Sequence, residues 1–132
     1  MPFLLDTNAA IAVLKGNPTV LGHVRAVGRR ELHICATVES ELWYGVEKSQ
    51  RRAENAARLV ELLGWLPSLP FASDATRRFA QIRVQLARAG TPIGPYDLQI
   101  AATALAHQMT LVTNNTDEFQ RVDGLRIEDW SC

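Results

Sequence analysis

The sequence predicts an α/β fold, a single three-layer α/β/α domain whose central, mainly parallel sheet is covered by helices on both faces. Three observations predict it. Short, mainly apolar runs of strand length alternate with segments of helical periodicity, and strands that are mostly apolar are those buried on both faces. Two of these runs stop abruptly on polar turn residues, Asp6-Thr7-Asn8 and Asn114-Asn115. A chain of 132 residues with 47% hydrophobic content suits one core and one domain, spanning 1–132.

Phe3-Leu4-Leu5 is a buried strand, and the residues after it are favoured at helix N-caps. Ala9 to Lys15 then reads as a helix closed by Gly16-Asn17-Pro18, and Thr19 to about Val27 as a second short helix before Gly28. Leu32-His33-Ile34-Cys35 is the second strand, with Thr37 placed to cap the helix after it. Ala53, Ala56, Ala57, Val60 and Leu63 follow helical spacing, as do Ala75, Phe79, Ile82, Leu86 and Ala89. Between those two helices, Trp65 to Phe71 holds two prolines and can form only a short edge strand. Gly90 to Gly94 is a loop, and Pro95 suits the first turn of a helix running to about Gln108. Thr110 to Thr113 is a buried strand, and Leu125 to Glu128 alternates as an edge strand does.

Composition narrows the function. There is no apolar run of about 18 residues, so no membrane span is expected, and Met1 to Asp6 lacks the basic and long apolar regions of a secretory signal. Cys35 and Cys132 read as free thiols in a reducing cytoplasm. Net charge is zero, yet 12 of the 14 basic residues are arginine. Arg77, Arg78, Arg83 and Arg88 share a stretch without an acid, and arginine suits phosphate because its planar fork binds two oxygens. A solvated helix face accounts for the same four residues equally well.

Three acids stand out. Asp6 ends the first strand, where open parallel sheets build their sites, though helix capping explains an Asp there too. Asp97 has Ile100, Ala101, Ala104 and Leu105 at helical spacing after it, which puts a carboxylate on an apolar face. The dipole of its helix offers that charge partial compensation. Glu41 is followed one turn later by Gly45, whose cost in a helix interior points to the close approach of another group beside the carboxylate. Trp43, Tyr44, Leu59, Leu62 and Leu63 could fill the core or present a partner surface.

With these residues in view, the chain resembles PIN domains, and among them the VapC toxins of bacterial type II toxin–antitoxin modules. The resemblance rests on Leu5-Asp6-Thr7-Asn8, Glu41-Leu42-Trp43-Tyr44-Gly45, Pro92 to Ala102 and Leu111-Val112-Thr113-Asn114-Asn115-Thr116, in that order and at matching spacing. It implies Mg²⁺- or Mn²⁺-dependent endoribonuclease activity on structured RNA such as tRNA, a homodimer, and an antitoxin partner that blocks the site. By position, Asp6, Glu41 and Asp97 match the family's central acids, and Thr7 and Asn8 would orient Asp6. A fourth acid often follows the fourth strand. Here Asn115 stands in its place, with Asp117 two residues on as either a substitute or an exposed loop acid, which leaves one ion or two open.

Carboxylates without clustered His or Cys favour Mg²⁺ or Mn²⁺ over Zn²⁺. On this reading Asp6 and Asp97 hold the principal ion while Glu41 orients a water or helps to hold a second. A PIN-like binding module without catalysis is the alternative that Asn115 raises. A phospho-accepting receiver domain fits poorly: it needs an Asp after the third strand and a Lys after a later one, and neither Trp65–Phe71 nor Thr113–Asn115 supplies them.

Overall fold

In the computed structural model, which describes residues 2–132, five strands form one sheet and every pairing is parallel. In chain order the strands are β1 (Phe3–Leu5), β2 (Leu32–Cys35), β3 (Ser68–Leu69), β4 (Thr110–Val112) and β5 (Ile127–Glu128), and the sheet runs β3-β2-β1-β4-β5. The expected edge strand from the proline-rich segment is β3, at one edge, and the alternating segment is β5, at the other. The three inner strands are the apolar ones. Leu4, Leu5, Leu32, Ile34 and Leu111 are fully enclosed, as strands covered on both faces require.

Seven α-helices connect the strands among the described residues: α1 (Thr7–Leu14), α2 (Pro18–Val27), α3 (Ala36–Glu47), α4 (Arg52–Leu63), α5 (Ser73–Arg88), α6 (Pro95–Ala106) and α7 (Thr116–Phe119). The path β1→β2→β3 steps in one direction across the sheet and β3→β4→β5 steps back in the other. Right-handed crossovers therefore put α1–α4 on one face and α5–α7 on the other, consistent with α1, α3 and α4 packing together and α5 packing along α6. No helix among the described residues is long and apolar enough to cross a membrane.

Several local expectations shift. The first helix begins two residues early because Asp6 itself is the cap, its carboxylate accepting the Ala9 N–H at 2.8 Å. The second begins at Pro18, capped by Asn17. Thr37 caps nothing. It lies inside α3, and its hydroxyl reaches across to donate to Gln99 Oε1 at 2.7 Å. The helix from Pro95 ends at Ala106, with Gln108 at positive φ in the turn before β4. A 3₁₀ turn at Arg29–Glu31 and the single-turn α7 carry no periodicity, and neither was among the expected elements. Leu59 and Leu62 belong to the core, Leu63 packs against it, and both cysteines are free.

The centre of the sheet should be the least tolerant part. Leu111 pairs with Leu4 across β4 and β1, and both are wholly enclosed. Leu111→Ala is expected to lower unfolding free energy by about 2–5 kcal/mol, read from urea denaturation.

Candidate active site

The strand order reverses between β1 and β4, since β1 connects towards β2 and β4 towards β5 on the opposite side. Crevices at such a switch point, beyond the carboxyl ends of the strands, are where parallel α/β sheets place their chemistry. Asp6 follows β1 directly, and its N–H donates to Val112 O of β4 at 3.0 Å, pinning it in this crevice. The side chain is 6% exposed. Burial raises its pKa above the ordinary carboxylate value; the Thr113 hydroxyl and the Ala9 N–H pull it back down, while Glu41 and Asp129 push it further up.

Asp97 arrives from the other face of the sheet, in the first turn of α6, and is half-buried. Its pKa is pushed up to about 7, first by burial, then by the Glu118 carboxyl that can share its proton, then by the charges of Asp6 and Glu41. The dipole of α6 does not outweigh these effects. Asp6, Glu41 and Asp97, three acids from distant parts of the chain, therefore feel one another's charge.

The fourth acid is Glu118, which sequence reasoning passed over in favour of Asp117. Asp117 is exposed, whereas Glu118 turns inward on α7 and accepts the Asn115 Nδ2 hydrogen bond at 2.7 Å. Asn115, whose N–H is held by Thr113 Oγ1 at 2.9 Å, orients a carboxylate in place of supplying one. The available signal was the spacing Asn115-x-x-Glu118, an N-cap followed three residues later by Glu. Thr113, which touches Asp6, was likewise missed as a site residue. Thr7 Oγ1 is buried without a hydrogen-bond partner and Asn8 is exposed, so the donors to Asp6 are Ala9 and Thr113.

Gly45 does not mark a close approach. A Cβ there would meet nothing within 4 Å, and the residue instead borders two clefts that share Glu41 as a wall. The four arginines are all exposed along α5. Arg77 and Arg78 border a shallow cleft with Ala106, at the end of α6 remote from Asp97, whereas Arg88 ends α5 where the chain turns back towards Asp97.

Among the described residues no lysine or arginine forms an ion pair with Asp6, Glu41, Asp97 or Glu118. Nor do any three acids, histidines or cysteines there close into a ready-made cation cage. An open set of carboxylate oxygens, unneutralised by the chain, fits a hard divalent ion that keeps several of its waters, and Mg²⁺ and Mn²⁺ are such ions.

Residues 3–125 match the PIN domain profile, and the chain belongs to the PIN domain family. Its relatives place it with the VapC proteins of that family. It is 39% identical to the tRNA(fMet)-specific endonuclease VapC of Shigella flexneri, covering 99% of each chain. It is 33% identical to ribonuclease VapC2 of Rickettsia felis, over 98% of each. Among solved structures, DNA-bound VapBC from Salmonella typhimurium superposes with a TM-score of 0.92 at 38% identity, covering 98% of each chain.

Two outcomes follow from the site's electrostatics and shape. The folded chain keeps the Asp97 proton up to about pH 7, while an unfolded Asp releases it at about 3.9. The folded state thus binds more protons between those values, and stability falls as pH rises through that window. Chelator-treated protein is expected to melt at lower temperature at pH 8 than at pH 5, with Asp97→Asn flattening the difference. Gly45→Ala, in open space on a helix, should raise stability by about 1 kcal/mol in denaturant titration.

Proposed function

We propose that this chain is a divalent-metal-dependent endoribonuclease, the toxin of a toxin–antitoxin pair, which hydrolyses phosphodiester bonds in structured RNA. The observation that carries the reading is the cluster of Asp6, Glu41, Asp97 and Glu118, gathered at the switch point with no lysine or arginine ion-paired to it among the described residues. Such a cluster is costly unless an ion completes it. Asp6 and Asp97 would hold the principal Mg²⁺ or Mn²⁺, with Glu41 and Glu118 orienting waters or holding a second ion. When bound, the metal supplies an acidified water and charge stabilisation on the leaving oxygen.

The residues contribute the rest. Asp6, fixed by its backbone bond to Val112 and by the Ala9 N–H, holds one carboxylate in a single orientation. Asn115 does the same for Glu118. Asp97, able to hold a proton up to about pH 7, gives it up on binding the cation. Glu118, beside Asp97 and held by Asn115, supports the enzyme reading over a binding module without catalysis, since Asn115 need not replace the fourth acid. Arg77, Arg78, Arg83 and Arg88 are proposed phosphate contacts, with Arg88 nearest the acidic end. The names of the relatives support tRNA as the first substrate to try and an antitoxin as the protein partner; a cytoplasmic homodimer completes the reading.

The test is cleavage of tRNA and other structured RNAs by purified protein with Mg²⁺, with Mn²⁺ and with chelator. Cleavage should require the divalent ion and return when it is restored. Asp97→Asn and Asp6→Asn should each reduce the rate by on the order of a hundredfold. Asn at position 6 retains an oxygen to cap α1, so lost activity would not reflect a lost helix. At limiting Mg²⁺ the rate should rise with pH through about 7 and then level. Unchanged cleavage by the Asp97 variant would overturn the assignment.

A further inference from the structure

A cleft of about 920 Å³ lies beside the acids, between the start of α1, one side of α3 and the start of α6. Its walls are the immediate neighbours of the acids. Thr7 and Asn8 follow Asp6, Tyr96 precedes Asp97, and Glu41 itself belongs to the lining. On the ribonuclease reading, this space is open to a nucleotide next to a phosphate bound among the carboxylates.

Two aromatic rings stand in it in water. Tyr44 is 66% exposed and Tyr96 is 61% exposed, and the other exposed large apolar residues among those described, Val60 and Val84, are aliphatic and lie on α4 and α5. Tyr44 follows Glu41 by three residues and so shares its face of α3. Phe71 adds a third ring to the wall. The polar groups suit the same ligand. Gln99 accepts the Thr37 hydroxyl through Oε1, which leaves its amide NH₂ to donate to the edge of a base. Lys48 Nζ lies 5.0 Å from the Tyr44 ring centre, holding one face of the ring and bringing the cleft a cation for phosphate.

We infer that this cleft is a stacking subsite for an unpaired RNA base next to the cleaved phosphate, with Tyr44 and Tyr96 as its platforms and Gln99 as its polar reader. The inference rests on the ribonuclease reading above. Exposed rings interleaved with a cation and an amide are what single-stranded nucleic acid uses, because every base presents a π-face. The adjoining cleft, which shares Glu41 and Gly45, has polar groups too, among them Lys15, Asn55 and Arg58, but its apolar wall is aliphatic and offers no ring for a base to stack on.

The test measures binding of the full chain, in chelator to prevent cleavage, to a single-stranded RNA nonamer and to nine copies with one position abasic. Wild type should lose affinity by about tenfold when one or two particular bases are absent. Tyr44→Ala and Tyr96→Ala should bind the intact probe about tenfold more weakly and become indifferent to those positions, whereas Tyr44→Phe and Tyr96→Phe should behave as wild type. Both rings are exposed, so melting temperatures should be unchanged.

Equal binding to every abasic probe, or a uniform loss in the Ala variants that leaves the abasic pattern intact, would overturn the subsite. So would full RNA affinity in Ala variants that have lost a protein partner. Mg²⁺-dependent cleavage by wild type is scored separately. If it persists while the abasic pattern is flat, only the subsite falls; if wild type neither cleaves nor binds RNA, the reading beneath it falls as well.

Discussion

The pairing of β1 with β4 is the constraint on which the molecule depends. Strands covered on both faces can carry few polar side chains along their length, because each must find a partner away from water. Polar function is therefore pushed to where the strands stop, and at β1 and β4 the connections part and leave a crevice. Asp6 is the point of contact between scaffold and site. One backbone bond ties it to β4, one carboxylate bond starts α1, and the same carboxylate faces Glu41. The acid is thus positioned by groups that the fold needs for its own sake.

From that placement follows an electrostatic tension. Asp97 and Glu118 come from the opposite face of the sheet, Asp6 and Glu41 from the strand end and the near face, and among the described residues no lysine or arginine is ion-paired with them. Burial and like charge both oppose ionisation, which is why Asp97 departs furthest from ordinary behaviour. The arrangement is stabilised by protonation or by a cation, and the two compete for the same oxygens.

What the sequence revealed follows a physical rule. β1, β2 and β4 were legible because a doubly covered strand must be mostly apolar, and α5 because sixteen residues give a periodic stripe room to repeat. The same logic put Asp97 on a core-facing side. Failures came where a single turn decided the outcome. Whether Asp117 or Glu118 faces inward depends on the phase of α7, a helix of four residues with no stripe to read. Thr37 looked like a cap because its type and position allow one, but its partner, Gln99, is 62 residues away. The sequence showed that Gly45 is costly in a helix, not that empty space lies beside it. Tyr44 could equally have been core, since one residue on a helix carries no statement of its own exposure.

The two edges of the sheet have a consequence for how copies of this chain can meet. β3 and β5 are each two residues long, and β3 is flanked by Pro67 and Pro70, which have no N–H to offer. A neighbour seeking to extend the sheet finds almost no ladder to join, so an apolar parallel core is sealed against strand-by-strand polymerisation. Any self-association must run through helices, and helical faces can meet without disturbing the strands that carry Asp6.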